Sequence, residues 1–465
     1  ASACADSLAL DAKLLKRLAV KLKGLLTTPQ RKTEPRGQEA TRRLTFFVNS
    51  LLMDLPPPPP LDAAVSLTTL TPFYSEDVIL SEADLRKKNS DGVTTLLYLQ
   101  TLYKADWRAF LERRGIDDHA ARDAVFSAKH STETRLWASF RAQTLARTVE
   151  GIMQNEAALR LLARLERVND ARRSRRRAGA PKTSRLYAAA CDESPTHPQI
   201  SLDDLLKLKF GYVVTCQIYG RQSAQQDPKA KDIEMLLKRF PLLRVAYIDE
   251  QRVNRSGASA FYSCLVKHDA ATDGPAEVYR VRLPGNAIVG EGKPENQNHA
   301  VVFTRGETLQ TIDMNQDGFF EEALKTRNLV QEFRGPRAPG APPVVIVGFR
   351  EHIFTGSVSS LANYMALQEL SFVTLGQRVL ADPLHMRLHY GHPDIFDKLW
   401  FTTRGGVSKA SRGINLSEDI FAGYTAVIRG GGVTMREYAQ VGKGRDVGMQ
   451  QIYKFEAKLS QGNAE

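Results

Sequence analysis

A chain of 465 residues can bury a large core and would ordinarily divide into two or three domains. Its 64 Lys and Arg against 52 Asp and Glu leave a formal charge of +12, which calls for an acidic partner: nucleic acid, an anionic membrane or a phosphorylated substrate. Cys4, Cys191, Cys216 and Cys264 have neither metal-ligand spacing nor a disulfide framework, and no apolar run reaches the roughly 18 residues of a membrane span.

In chain order, residues 7–26 place Leu8, Leu15, Leu18, Leu22 and Leu25 at helical spacing, with Lys13, Lys16, Arg17, Lys21 and Lys23 largely elsewhere on the wheel. Such a basic amphipathic helix can pack on a domain or lie on an anionic surface. A polar linker, an apolar helix from Arg42 to Leu55 and a stiff spacer from Pro56 to Pro60 complete a first region, 1–60.

The second region, 61–190, opens with a strand from Val65 to Tyr74 that ends in Glu76 and Asp77. These acids can serve a ligand or cap the next helix. Residues 92–170 read as helices, and the stripe Phe140, Leu145, Val149, Ile152, Met153, Leu159, Leu162 and Leu165 reads first as core. Asp170 to Ser184, with Arg172, Arg173, Arg175, Arg176 and Arg177, reads as a charged surface loop. It lacks the aromatic side chains that stack on bases, so no nucleic-acid partner is expected.

The third region, 191–465, alternates strand and helix. Tyr212 to Tyr219 is a predicted strand, Ile233 to Phe240 a helix, and Leu243 to Ile248 a strand ending in Asp249 and Glu250. Phe261 to Val266 and Val278 to Leu283 form a predicted antiparallel pair. A glycine-flanked loop then holds Lys293, Asn296, Asn298 and His299, followed by a strand at Ala300 to Phe303. A further strand, Leu309 to Ile312, ends in Asp313, Asn315 and Asp317. A helix from Glu321 to Phe333, a strand from Pro342 to Gly348 and a helix from Met365 to Leu380 follow. The pattern predicts a three-layer α/β core on a mainly parallel sheet. Strands ending in acids and amides deliver them to the carboxyl edge, where open α/β sheets bind ligands. Lysine and carboxylate together suit a phosphate and a divalent cation. His389 and His392 sit in H-x-x-H without the further ligands that zinc needs.

G-E-G-K-P-E-N-Q-N-H-A followed by T-I-D-M-N-Q-D resembles the catalytic region of 1,3-β-glucan (callose) synthases. So do R-R-L-T-F-F-V-N-S-L-L-M-D-L-P, T-P-F-Y-S-E-D-V, T-R-G-G-V-S-K-A-S-R-G-I-N-L-S-E-D-I-F-A-G and V-G-K-G-R-D-V-G, over about residues 41–465 and nearer to the plant and algal branch than to the fungal one. The resemblance implies a GT-A-like nucleotide-sugar transferase core at 191–465, with an added N-terminal helical region and membrane-interface helices within 92–170. It implies the cytosolic portion of a multi-pass plasma-membrane protein, regulated by a Rho-type GTPase. The reaction implied is inverting and processive: UDP-glucose gives its glucose to the 3-hydroxyl of a growing 1,3-β-glucan chain.

By the same resemblance, Tyr74, Glu76 and Asp249 contact the nucleoside, and Lys293, Asn296 and Asn298 the diphosphate loop. Asp313, with Asn315 where an acid is usual, holds Mg²⁺. Asp419 is the general base and Glu418 its helper, within Ser417-Glu418-Asp419. Gln440 to Arg445 is loosely like the family's acceptor motif but lacks its tryptophan, and Arg445 and Lys458 add positive charge. The alternative is an inactive relative serving as a membrane-associated binding or scaffold module.

Overall fold

The computed structural model describes residues 38–74, 76–89, 92–117, 121–177, 200–252, 259–288, 293–335, 339–355, 360–382, 384–385, 393–407, 418–445 and 449–464, with Val20 and Lys23. The predicted helix at 7–26, the linker after it, and His389 and His392 lie outside these residues.

Among the described residues ten strands form one sheet: β1 (Leu67–Phe73), β2 (Phe210–Cys216), β3 (Leu243–Arg252), β4 (Ser259–Asp269), β5 (Gly274–Arg282), β6 (Thr308–Thr311), β7 (Gln316–Asp317), β8 (Val344–Thr355), β9 (Ile395–Asp397) and β10 (Gly432–Arg445). Their order is β5-β4-β3-β2-β1-β6-β9-β8-β10-β7. The central block β3-β2-β1-β6 is parallel throughout. β4, β9 and β7 run antiparallel to their neighbours, while β8 and β10 are parallel to each other. The reversal at β9 turns β8 and β10 the same way as β6. The α/β expectation therefore holds, with a parallel centre in a mixed sheet. The C-terminal ends of β1, β2, β6, β8 and β10 all reach one edge.

β1 is buried at every position although it reads L-T-T-L-T-P-F. Its threonines pack their methyl groups and satisfy their hydroxyls: Thr68 Oγ1 donates to Arg305 O at 2.7 Å and Thr69 Oγ1 to Gln310 Oε1 at 3.1 Å. Alternate residues feed separate cores. Phe73, Tyr212, Val214 and Val245 join the long helix Leu145–Arg177 and the helix Pro228–Arg239 on one face. Leu70, Val213, Ala246 and Leu309 join Ala300 and Phe303 on the other. Further along that sheet, Ile346 and Val433 pack on Ala422 and Ala426 of the helix Glu418–Ile428. The predicted stripe is core: Leu145, Val149, Ile152, Met153 and Leu159 are buried, and Leu165 is exposed. A satellite core around Trp107, Phe110 and Trp137 holds the preceding helices together. Among the described residues no helix is long and apolar enough to cross a membrane.

Four expectations are corrected. Lys293–Asn298 is a helix, not a loop, with Pro294 in its first turn, where a missing N–H costs nothing. Ala300 to Phe303 is not a strand but a 3₁₀ turn at Val301–Phe303, since a four-residue apolar run has no decisive period. Asp170 to Arg177 continues the long helix, because arginine is a good helix former and no glycine or proline intervenes. The helix expected at Glu321 to Phe333 is broken into Phe320–Ala323, Thr326–Gln331 and a 3₁₀ turn. The expected helix near Arg42 is Gln38–Ser50. The polyproline run is neither helix nor strand, and Pro56 O and Pro59 O accept from Asn328 Nδ2 and Arg327 Nη1, each at 2.9 Å.

Candidate active site

The carboxyl edge divides at β1. On one side, β1 runs out into Tyr74 and Glu76, where Tyr74 N donates to Glu76 Oε2 at 3.4 Å and Lys229 Nζ to Glu76 O at 3.1 Å. The helix Lys293–Asn298 sits over the ends of β1 and β2. It is tied there by Asn296, whose Nδ2 donates to Phe73 O at 2.9 Å and Thr215 O at 3.3 Å. Asn296 is fully buried, so its observed contacts are to the sheet. Asn298 closes the same helix and is half-buried. Buried His299 lies beside Ser263 Oγ, 2.8 Å from Nδ1, and burial pushes its pKa down to about 4, which keeps it neutral. Asp249 lies two strands away from β1. It accepts from Arg280 Nη1 at 2.6 Å and from Gln251 Nε2 at 3.0 Å.

On the other side, β6 ends at Thr311, and Ile312 N donates to Leu70 O at 3.0 Å, so Asp313 emerges one strand over from the end of β1. Asp313 to Asn315 turns the chain across the edge into β7, which pairs with β10 at Gly442↔Asp317 and Lys443↔Gln316. Asp313 N donates to Gln316 Oε1 at 2.9 Å, and Gly444 N donates to Asn315 O at 2.8 Å. The long helix clamps the turn from behind: Thr148 Oγ1 donates to Met314 O, and Arg147 Nε pairs with Asp317 Oδ2 at 2.9 Å. The approach requires glycines on both sides. A Cβ on Gly151 would lie 2.6 Å from Gly318 N, and one on Gly318 would lie 2.5 Å from Gly151 O. Burial raises the Asp317 carboxyl above its usual range, although Arg147 draws it back down.

Three charged residues not singled out in the sequence complete this side. Glu351 on β8 accepts from Gln316 Nε2, and its Oε2 lies 3.2 Å from Lys443 Nζ. Lys443 Nζ also lies 3.7 Å from Glu369 Oε2, on the helix Ser360–Leu370. Arg445 pairs with Glu369 and stacks on Phe455, with its Cζ 4.3 Å from the ring centroid. Lys443, Glu351 and Glu369 are almost fully buried. A charged residue at an apolar strand's end was the available signal, as in Gly442-Lys443-Gly444-Arg445, but the partners are remote in sequence.

The Asp313–Asn315 turn thus meets the end of β10 at Gly444, next to Arg445, while Tyr74 and Glu76 leave the end of the neighbouring strand β1 and Asp249 lies farther along the edge. The side chains of Lys293, Glu418, Asp419 and Lys458, with Gly292 and Ser417, lie outside the described residues. The backbone of Asp419 is in the first turn of the helix Glu418–Ile428. Among the described residues no group of three or more His, Cys, Asp or Glu is placed to hold a metal ion. Mg²⁺ needs less when a phosphate supplies oxygens, since one or two carboxylates suffice. Asp313 offers a carboxylate, and Asn315 Oδ1 is a buried oxygen with no hydrogen-bond partner among the described residues, so these residues fit Mg²⁺ shared with a phosphate.

Residues 34–465 match the family model described as 1,3-beta-glucan synthase component. The chain is 52% identical over 454 residues to callose synthase 9 of Arabidopsis thaliana, covering 97% of this chain and 23% of that protein. It is 49% identical over 453 residues to callose synthase 12, covering 93% and 25%, and 49% identical over 455 residues to callose synthase 3, covering 95% and 23%, both from Arabidopsis thaliana. The chain spans about a quarter of the length of these relatives. It belongs to the 1,3-beta-glucan synthase family.

Proposed function

We propose that the chain is the catalytic portion of an inverting, processive 1,3-β-glucan synthase that takes glucose from UDP-glucose, works on the cytosolic face of the plasma membrane and has a GT-A-like core. The observation that carries the reading is the meeting, at one carboxyl edge, of the Asp313–Asn315 turn with Lys443 and Arg445. Glu351 and Glu369 balance these two cations, so the charge on a diphosphate leaving group calls for the carboxylate of Asp313 and the amide oxygen of Asn315 to share a divalent cation with it.

The donor linkage is α and the product linkage β, so one in-line displacement suffices. A carboxylate must take the proton of the acceptor 3-hydroxyl, and Asp419 holds that role, with Glu418 orienting it. Mg²⁺, when bound, neutralises charge developing on the departing diphosphate. Asp313 and Asn315 would hold it, and Lys293, Arg445 and Lys458 would add positive charge around the phosphates. Tyr74, Glu76 and Asp249 orient the nucleoside. Elongation needs the membrane-spanning remainder of the protein as an exit path, and a Rho-type GTPase is its regulator.

The test uses the full-length protein in membranes. Asp313→Asn keeps shape and removes charge, and is expected to lower UDP-glucose-dependent formation of laminarinase-sensitive glucan by about 10²-fold or more. Synthesis within a few-fold of wild type removes Asp313 from the site.

A further inference from the structure

Resting on that reading of Asp313, we infer that Gln316 and Glu351 are positioning residues that fix the Asp313 turn to the cation side of the site. Gln316 is buried and its side chain faces both ways along the edge. Its Oε1 accepts from the backbone N–H of Asp313 at 2.9 Å, and its Nε2 donates to Glu351 Oε1. The other Glu351 oxygen lies 3.2 Å from Lys443 Nζ. One chain of contacts therefore runs from the Asp313 backbone through an amide and a carboxylate to a lysine on β10.

Each link is supported separately. Gln316 is opposite Lys443 in the β7–β10 pair, so the backbone register and the side-chain bridge agree. Glu351 sits opposite Val441 on β8, one residue from the His352–Gly442 pair, so it comes from a third strand. Gln316 and Glu351 are fully enclosed and face each other, leaving neither exposed to a ligand from solution. A buried carboxylate is costly unless compensated, and Lys443 compensates this one. Its position, directly behind the turn that presents Asp313 and Asn315, gives it a job beyond neutralising Lys443. Outer-shell partners of this kind orient metal ligands, and losing them costs roughly 10–100-fold in metal affinity or activity.

The experiment takes the full-length protein with Glu351→Gln, Glu351→Asp and Gln316→Met, alongside Asp313→Asn. Three quantities are read: turnover, UDP-glucose affinity with and without Mg²⁺, and melting temperature. Glu351→Gln and Gln316→Met are expected to lower turnover roughly 10-fold or more and to shrink the Mg²⁺-dependent gain in donor affinity. Donor affinity without Mg²⁺ stays put, and Glu351→Asp recovers part of the loss. A purely structural role would move the melting temperature without touching the Mg²⁺-dependent part of binding, and that result overturns the inference. If Glu351→Gln does not fold, Gln316→Met decides alone, because it removes the bridge without adding or removing charge. Asp313→Asn inactive with both bridge variants at wild-type turnover refutes the positioning role and leaves the site. Asp313→Asn active refutes the reading of the site itself.

Discussion

Two buried lysines invite comparison. Lys325 Nζ lies 2.9 Å from Glu322 Oε2 and donates to Ser50 Oγ at 2.7 Å and to Tyr438 O, beneath the rings of Phe46 and Phe47. Lys443 lies between Glu351 and Glu369. Both are nearly inaccessible, and both are compensated by carboxylates. The first group ties the helix Gln38–Ser50 to the sheet, assisted by the Arg43 Nη2–Glu321 Oε2 contact at 2.8 Å. Every contact it makes is internal. The second stands at the ends of β7, β8 and β10, next to a turn whose Asn315 Oδ1 has no hydrogen-bond partner among the described residues. Burial of charge alone therefore says little about function. Position at the carboxyl edge separates the anchor from the site.

The comparison breaks most sharply on stability. Lys325→Ala leaves Glu322 buried without its cation and is expected to cost about 3–5 kcal/mol. Burial already raises Glu322 to about pKa 6, so part of that cost is met by protonation. Combining Lys325→Met with Glu322→Gln keeps an acceptor for Gln440 N, now at 3.0 Å from Glu322, and should restore at least half of the loss. Chemical denaturation of the three proteins measures this. A double variant no more stable than Lys325→Ala would mean that the charges themselves hold the anchor together.

The next effect concerns synthesis. Replacing Lys443 and Glu351 together by methionine removes a balanced pair, so the fold should survive, but glucan formation is expected to fall by about 10²-fold or more, about 2.7 kcal/mol. The Lys325→Met, Glu322→Gln protein should stay within a few-fold of wild type. Equal losses in the two would erase the distinction drawn here between anchor and site.

Much of this edge was legible in the sequence because apolar runs and their polar ends are local information. Leu309 to Ile312 ending in Asp313 reads correctly from period and composition, and so does the strand at Leu243 to Ile248, but β3 runs on through Asp249 and Glu250 to Arg252 because β4 pairs with those residues. β10 was not legible in this way. Its residues G-V-T-M-R-E-Y-A-Q-V-G-K-G-R carry charges and glycines that depress any strand reading. They are tolerated because partners 92 residues away in sequence neutralise them, as Glu351 does for Lys443. Strand order decides such pairings, and no local pattern encodes it. The helix at Lys293–Asn298 had a readable sign in Lys293-Pro294-Glu295, a proline and an acid in a first turn, which its flanking glycines obscured.

A smaller effect tests the other side of the edge through pH. His299 is held neutral by burial, at a pKa near 4 against the usual 6.5. Its folded pKa is depressed, so the folded state binds fewer protons than the unfolded state between those values. Stability is therefore full above about pH 6.5 and is lost as pH falls toward 4. At pH 5 the loss is expected to be about 2 kcal/mol relative to pH 7. Melting of wild type and His299→Gln at the two pH values isolates it, since glutamine has no proton to gain. Parallel melting shifts in the two proteins would assign the pH sensitivity elsewhere.

The smallest effect falls on Asp249, where an ion pair and a proposed ligand contact compete. Asp249 and Arg280 are each about a third exposed, and such pairs contribute roughly 0–1 kcal/mol to stability. Arg280 also contacts Glu277 Oε2 at 2.8 Å, so it keeps a partner if Asp249 is lost. Asp249→Asn should therefore leave melting nearly unchanged. If the carboxylate also reaches the nucleoside, the KM for UDP-glucose rises several-fold while turnover holds, because the lost contact is equal in ground and transition states. Arg280→Ala frees the same carboxylate and should not raise KM. An Asp249→Asn protein with unchanged KM would confine the residue to its ion pair, and the donor-binding part of the edge would then end at Tyr74 and Glu76.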